Sequence, residues 1–255
     1  MVCQEEMIHL SRVVMSRSIR SFYSGPFRGA GEELVLDLEE SYHLSKVLRR
    51  SVGDPIEVLN GEGGVAEAEC ISISNKQVIV RISSVRDHKK EQPGLRMVLA
   101  ITKSGKWEDQ IKPLTELGVH RITPLLTERT EIKQDRTSFR NKVDKWVKLA
   151  IEGCKQSGNP WLPQLDEPIT LSEYLNDRTE LIWVASLTES TSQLKFDRQQ
   201  DSIDILIGPE GGWTDSEESK FKECGANFFS LGKYTLRAET AGISALAVAR
   251  SQFIE

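Results

Sequence analysis

The chain has 255 residues, of which 38% are apolar, so it is long enough for two domains with buried cores. Its 33 basic and 38 acidic residues give a net charge of -5, which excludes a protein that coats nucleic acid through bulk charge alone. Any contact with nucleic acid must therefore use local basic patches. The 4 cysteines and 4 histidines show no metal-ligand spacing, so no metal site is expected. The scattered thiols fit a reducing cytosol, so we expect a cytoplasmic protein. No apolar run approaches the roughly 20 residues of a membrane span.

The N-terminal third of the chain alternates short β-type runs with turn residues. We predict strands over 34–38, 55–59, 65–73 and 77–82, which form a small β-barrel or sandwich interrupted by a helix over 43–50. Asn60-Gly61 supplies the positive φ angles of a hairpin turn. The charged stretch over 86–94, closed by Pro-Gly, indicates a linker. We therefore predict an extension at 1–15, a β domain over 16–90 and an α/β domain over 95–255.

After the linker, strands alternate with helices, which predicts a mostly parallel α/β sheet. The predicted strands cover 95–101, 121–126, 181–185 and 203–207, and the predicted helices include 106–117 and 239–253. Apolar residues from Phe139 to Cys154 at i, i+4 spacing predict a further helix that ends near Gln156. Capping boxes at Thr170 and Thr214 begin two more helices.

The most informative segment is the glycine-rich stretch over 207–214, which follows an apolar strand and precedes a capped helix. Open α/β sheets bind ligands at the carboxyl ends of their strands, and glycines let the backbone approach a flat ligand such as adenine. An ordinary strand-to-helix turn explains the spacing equally well. The stretch matches neither Gly-x-Gly-x-x-Gly nor a P-loop, so dinucleotide redox chemistry and phosphoryl transfer lose their usual support.

Other polar segments suit a substrate. Arg237 and Glu239 lie at the start of the last helix, where the helix dipole favours a carboxylate, and a plain helix start also accounts for them. The segment 127–129 follows a strand end. Two basic runs are either solvated helix faces or phosphate contacts. They consist of Lys46, Arg49 and Arg50 in the β domain, and Lys145, Lys148 and Lys155 in the α/β domain.

Taken in order, these segments resemble the family of bacterial 16S ribosomal RNA (uracil N3)-methyltransferases. The resemblance runs from about Arg20 to the C-terminus, and the chain departs from it at Asn159, where the family often has Arg. The two segments nearest the C-terminus are highly specific at this order and separation. The matching segments are Arg20-Ser21-Phe22-Tyr23, His43-Leu44-Ser45-Lys46-Val47-Leu48-Arg49 with Gly53-Asp54, Glu116-Leu117-Gly118-Val119 with Thr127-Glu128-Arg129, Lys155-Gln156-Ser157-Gly158, Ile207-Gly208-Pro209-Glu210-Gly211-Gly212 and Leu236-Arg237-Ala238-Glu239-Thr240-Ala241.

The resemblance implies a PUA-like β-barrel followed by an α/β SPOUT domain with a C-terminal trefoil knot. It also implies S-adenosylmethionine as the cofactor, a homodimer, and 16S rRNA or the assembled small ribosomal subunit as the partner. From residue chemistry, Arg237 would steady the uracil oxygens, and Glu239 would act as the base or orient it. The cofactor residues would be Ser186, Leu187, Ile207, Gly208, Pro209, Glu210, Gly211, Gly212, Leu231, Gly232 and Leu236. The RNA contacts would be Arg20, His43, Lys46, Arg49, Arg50, Thr127, Glu128, Arg129, Lys145, Lys148 and Lys155.

Two other functions remain open. One is a SPOUT enzyme that modifies a ribose 2'-hydroxyl or a tRNA base, and the other is an RNA-binding relative without catalysis. The intact segments over 208–212 and 236–241 oppose a non-catalytic protein. The N-terminal β-barrel and the segment 127–129 favour the ribosomal enzyme.

Overall fold

The computed structural model describes residues 18–102, 106–130, 136–178, 181–187 and 200–253. For residues 136–141 it describes the backbone only. The predicted extension at 1–15 and the Phe139 side chain therefore lie outside the described residues. Within the described ranges, no helix is both long and apolar enough to cross a membrane. The same ranges hold no group of His, Cys, Asp and Glu suited to a metal ion.

The first domain is a five-stranded, mostly antiparallel sheet. Its strands are β1 (Arg20–Phe22), β2 (Glu33–Val35), β3 (Pro55–Leu59), β4 (Gly64–Ile73) and β5 (Val78–Asp87). They lie in the order β1-β3-β4-β5-β2, and only the β1–β3 pair of this sheet is parallel. The predicted turn joins β3 to β4, with Gly61 at φ 76° and the Asn60 side chain accepting two backbone hydrogen bonds.

The helix between β2 and β3 begins earlier than predicted. α1 (Leu38–Tyr42) starts after Asp37, whose carboxylate accepts a hydrogen bond from the Glu40 amide at 2.8 Å. It continues as a π-helical segment (His43–Val47). The strand predicted over 34–38 was too long because apolar alternation outweighed the N-cap signal of Asp37.

The second domain is a parallel sheet, as predicted. Its strands are β6 (Gly94–Ala100), β7 (Arg121–Leu126), β8 (Gln164–Leu165), β9 (Ile169–Thr170), β10 (Ile182–Ala185), β11 (Ser202–Ile207) and β12 (Asn227–Phe229). They lie in the order β12-β10-β11-β6-β7-β8, and β9 pairs with the end of β7. Each pairing described in this sheet is parallel, so the chain must cross over between strands and helices can cover both faces.

Helices pack on both faces of the parallel sheet. They are α2 (Ile111–Glu116), which continues a 3₁₀ turn (Lys106–Gln110), α3 (Arg136–Ser157), α4 (Leu171–Asn176), α5 (Asp215–Glu223) and α6 (Ala238–Ser251). The predicted capping boxes at Thr170 and Thr214 begin α4 and α5. The small residues early in α6 permit a close approach, because a Cβ on Gly242 would collide with Gln110.

A buried ion pair joins the two domains. The Lys155 ammonium of α3 lies 2.5 Å from the Glu40 carboxylate of α1, and these side chains are only 9% and 6% exposed. Glu40 also accepts hydrogen bonds from the Ser21 hydroxyl at 2.5 Å and the Phe22 amide at 3.2 Å. Burial alone would lower the pKa of Lys155, but the charges of Glu40 and Glu152 raise it above its ordinary value.

His120 ties the interdomain linker to the parallel sheet. Its Nδ1 accepts a hydrogen bond from the Leu95 amide at 3.2 Å, so Nε2 carries the proton and donates to the Glu91 carbonyl at 2.8 Å. Burial and the nearby charge of Arg250 lower the pKa of His120 from 6.5 to about 4. The ring is therefore neutral at physiological pH.

Candidate cofactor and RNA site

A cavity of about 450 Å³ opens at the carboxyl ends of β10, β11 and β12. These strands are neighbours in the sheet, so the loops that follow them converge. Open α/β sheets bind their ligands at this edge. Apart from Gly232, all predicted cofactor residues line the cavity, namely Ser186, Leu187, Ile207, Gly208, Pro209, Glu210, Gly211, Gly212, Leu231 and Leu236.

The glycine loop (residues 208–212) forms a wall of the cavity from backbone atoms. Gly212 has φ 71°, in the left-handed region that side chains disfavour. A Cβ on Gly208 would lie 3.0 Å from the Trp213 ring, and a Cβ on Gly211 would lie 3.2 Å from the Arg129 side chain. The loop therefore has little room for side chains and leaves its main chain open to a flat ligand.

Trp213, Ser186 and Glu218 complete the cavity around the glycine loop. The Trp213 indole donates to the Ala185 carbonyl at 2.9 Å, and its ring packs edge-on against Phe221 with centroids 4.9 Å apart. The Ser186 hydroxyl donates to the Glu218 carboxylate at 3.3 Å. Sequence reasoning missed Trp213 and Glu218 as lining residues, although the aromatic residue directly after the glycines was an available signal.

A hydrogen-bonded network attaches the segment 127–129 to the glycine loop. The buried Glu217 carboxylate accepts from the Glu128 and Thr214 amides, both at 2.9 Å. The Thr214 hydroxyl donates to the Glu128 carboxylate at 2.9 Å. The Arg129 guanidinium donates to the Gly211 carbonyl and lines the cavity. The predicted substrate segment and the glycine loop are therefore held as one unit.

Arg237 and Glu239 occupy different positions relative to the cavity. Arg237 is the N-cap residue of α6, is exposed and lines the cavity mouth. Glu239 lies in the first turn of α6, is half-buried and is not among the lining residues of the described cavity. The structure thus brings Arg237 to the cavity and leaves Glu239 beside it.

The mouth of the cavity is unusually apolar for an exposed surface. Leu187, Tyr234 and Leu236 line the cavity and are 70%, 78% and 37% exposed. Exposed apolar side chains at one site often mark a surface that another molecule covers. This part of the chain is therefore a candidate contact surface as well as a cavity rim.

Some predicted RNA contacts are largely buried. Arg20 donates to Glu57 at 3.0 Å and to the Lys155 carbonyl at 3.2 Å, so it strengthens the junction between the domains. Lys155 lies in the buried ion pair, which differs from the solvent-facing position expected of an RNA contact. The Thr127 hydroxyl is paired with that of Thr130 at 2.8 Å.

Other predicted RNA contacts are exposed but paired with carboxylates. Lys148, at 63% exposure, lies 2.6 Å from Glu39, and Lys145 is paired with Glu108. These pairs reduce the positive field along α3. The helix therefore offers less attraction to phosphates than its sequence suggested.

The π-helical segment and the residues after it carry exposed cations that belong to the predicted RNA contacts. Lys46 and Arg49 are exposed, and neither has a carboxylate partner within the described part of the chain. Arg50 is 3.6 Å from Asp54, and His43 is half-buried. Lys46 and Arg49 are therefore the predicted RNA contacts best placed to meet a phosphate.

Comparison with known proteins gives consistent matches over most of the chain. Residues 89–250 match a family model described as an RNA methyltransferase domain, and residues 36–83 match an RNA methyltransferase PUA domain. Ribosomal RNA small subunit methyltransferase E of Synechocystis sp. is 33% identical over 84% of this chain and 71% of its own. The protein with the same name from Buchnera aphidicola subsp. Acyrthosiphon pisum is 27% identical over 95% of this chain and 97% of its own.

A solved structure extends this similarity to three dimensions. A Legionella pneumophila protein described as a methyltransferase, with the cofactor SAM bound, aligns with a TM-score of 0.86 and 33% identity. The alignment covers 92% of this chain and 98% of the other.

Proposed function

Because this chain belongs to the RNA methyltransferase family that includes ribosomal RNA small subunit methyltransferase E, and is an S-adenosylmethionine-dependent rRNA methyltransferase, we propose that it methylates N3 of a uridine in 16S rRNA. The predicted fold class, a PUA-like domain followed by an α/β SPOUT domain, is confirmed. The trefoil knot and the exact domain limits stay predictions. The observation that carries the proposal is the backbone-walled cavity at the carboxyl ends of three parallel strands.

The cavity residues suit a cofactor that combines a flat ring with a charged tail. The glycine loop offers main chain to the ring, while Ser186, Glu218 and Arg129 offer polar groups to the tail. When bound, S-adenosylmethionine supplies an electrophilic methyl group. A uridine held against the cavity mouth would present its N3 to that group, and such alignment supplies much of an enzyme's acceleration.

We assign to Arg237 the stabilisation of negative charge on the substrate and to Glu239 the removal of its proton. Uracil N3 is an imide nitrogen that must release its proton as it forms the new bond to carbon. Arg237, at the cavity mouth, would stabilise the negative charge that develops on the uracil oxygens. Glu239 would accept the proton or orient the group that does, a role worth roughly 10² to 10⁴ in rate.

We also propose that the enzyme acts as a homodimer in the cytoplasm. The apolar rim formed by Leu187, Tyr234 and Leu236 supports a partner subunit beside the cavity. A stable interface of this kind buries roughly 2,000 Å² or more in total. Light scattering at micromolar concentration should give the mass of a dimer, and a fully active monomer would contradict this part of the proposal.

Nucleoside mass spectrometry tests the reaction itself. Naked 16S rRNA and assembled small subunits are incubated with the enzyme and labelled cofactor, then digested to nucleosides. We expect labelled N3-methyluridine, and the comparison identifies which substrate form is used. Label in a ribose methyl group or only in tRNA would support the other SPOUT activities instead. Cofactor binding without any transfer would support a non-catalytic protein.

A further inference from the structure

The first domain has an apolar surface that its own core does not use. Leu38, Tyr42 and Val47 are 65%, 55% and 59% exposed. Leu38 and Tyr42 are four residues apart on α1, and Val47 is five residues further along the continuous helical stretch. Residues four apart lie on one side of an α-helix, and the i→i+5 bonding of the π-helical turn brings residues five apart to the same side, so the three side chains form one stripe. We call this stripe, together with Lys46 and Arg49, the α1 surface.

The charge of the α1 surface is positive. Lys46 and Arg49 are exposed and have no carboxylate partner among the described residues. The acidic residues of α1 are already engaged, because Glu39 pairs with Lys148 at 2.6 Å and Glu40 pairs with Lys155. The surface is therefore suited to an anion with apolar faces.

The backbone of this region is irregular. Within the described ranges, Arg49 is the sole residue other than glycine with a positive φ, at 51°. The preceding segment is π-helical, with the Leu48 amide bonded to the His43 carbonyl. Positive φ in a large side chain and π-helical turns both carry a conformational cost, and both are concentrated at functional sites.

We propose that the α1 surface binds an unpaired stretch of the RNA substrate, with the Tyr42 ring stacked on a base and Lys46 and Arg49 on the flanking phosphates. This inference rests on the proposed function, which it deepens by naming the form of RNA recognised. Sequence-tolerant binding of single strands generally combines an exposed aromatic ring with a positive track. Paired bases within a duplex have no free face for Tyr42 to cover, so the surface distinguishes unpaired from paired RNA.

Two substitutions at Tyr42 separate stacking from simple apolar contact. Tyr42→Phe keeps the ring, and Tyr42→Leu keeps apolar bulk without it. Fluorescence anisotropy measures the affinity of the full chain for oligouridylate and for a duplex RNA of equal length. We expect Tyr42→Leu to weaken oligouridylate binding roughly ten-fold or more and to leave duplex binding unchanged, with Tyr42→Phe near the parent.

Matched controls exclude a loss of folding. Leu38→Ala removes an exposed apolar side chain four residues away, and we expect a far smaller effect than from Tyr42→Leu. Affinity for S-adenosylmethionine should be equal in all variants. The proposal is overturned if Tyr42→Leu binds oligouridylate with the affinity of the parent, or if it loses as much affinity for the duplex as for oligouridylate. It is also overturned if Tyr42→Phe loses as much affinity for oligouridylate as Tyr42→Leu does.

Light scattering and the methylation assay complete the design. A change in oligomeric mass for Tyr42→Leu would overturn the proposal by making the surface an interface between copies of this chain. If the parent binds oligouridylate through Tyr42 but labels no uridine of 16S rRNA, the proposed function fails while stacking holds. If it labels uridine without using Tyr42, stacking fails alone.

Discussion

Replacing Lys155 with Met should destabilise the protein and loosen the junction between its domains. The substitution leaves the Glu40 carboxylate buried, with the Ser21 hydroxyl and the Phe22 amide as its remaining described donors. Removing one partner of a buried pair costs about 3 to 5 kcal/mol. The lower end applies here because the two remaining hydrogen bonds still solvate the charge. About 3 kcal/mol corresponds to a fall in Tm of about 6 to 12 °C.

A double-mutant cycle measures the ionic part of this effect. Glu40→Gln retains an acceptor for Ser21 and leaves Lys155 paired with Glu152 at 2.7 Å, so it should cost less than Lys155→Met. The double variant contains no buried charge at this position. We expect it to be more stable than Lys155→Met alone, by calorimetry or by denaturant unfolding.

The exposed pair between the same two helices provides the control. Glu39 and Lys148 also join α1 to α3, but their side chains are 67% and 63% exposed. Glu39→Gln with Lys148→Met should change Tm only slightly, since solvent screens an exposed pair. If Lys155→Met has the same Tm as the parent, the buried pair does not hold the domains together. The same conclusion follows if the destabilisations caused by Glu40→Gln and Lys155→Met simply add in the double variant.

Three further predictions concern the cavity, the α1 surface and the linker. Gly211→Val should abolish S-adenosylmethionine binding by calorimetry, because a Cβ at this position would lie 3.2 Å from the Arg129 side chain and the larger valine would extend into the cavity wall; unchanged affinity in a folded variant would refute it. Lys46→Gln with Arg49→Gln should flatten the log-log salt dependence of RNA binding by roughly one to two units, about one per phosphate contact, and a parental slope would count against these contacts. Stability should fall as the pH drops from 6.5 to about 4, because over this window the unfolded chain protonates His120 and the folded chain does not. This loss of stability should be about 2 kcal/mol, which is less than the free energy that corresponds to the full pKa shift of His120, because the ring is partly exposed. The pH dependence should disappear in His120→Asn and persist when an exposed histidine is replaced.

The grouping of the predicted cofactor residues around one cavity was predictable because its signals are local in sequence. The glycine loop lies between an apolar strand and the capping box at Thr214, and this order places it at the carboxyl end of a parallel strand. Gly232 and Glu239 belong to similarly local motifs, yet neither lines the cavity. Their motifs locate the segment but do not determine which way each residue faces.

The role of the basic stripe on α3 could not be predicted in the same way. Helical periodicity correctly grouped Lys145, Lys148 and Lys155 on one side of the helix. It contains no information about Glu40, which lies 115 residues from Lys155 in the chain. A periodic pattern shows which side chains share a face, whereas the chemistry opposite that face depends on the tertiary fold.

The position of the cavity along the chain has a consequence for protein synthesis. Except for Arg129, its lining residues come from 185–241, whereas the sheet of the first domain is complete at Asp87. Because domains generally fold in the order in which they leave the ribosome, the α1 surface can form long before the cavity is complete. With the roles proposed for the α1 surface and the cavity, a nascent chain, or one broken off before α6, would be able to bind RNA but not to modify it.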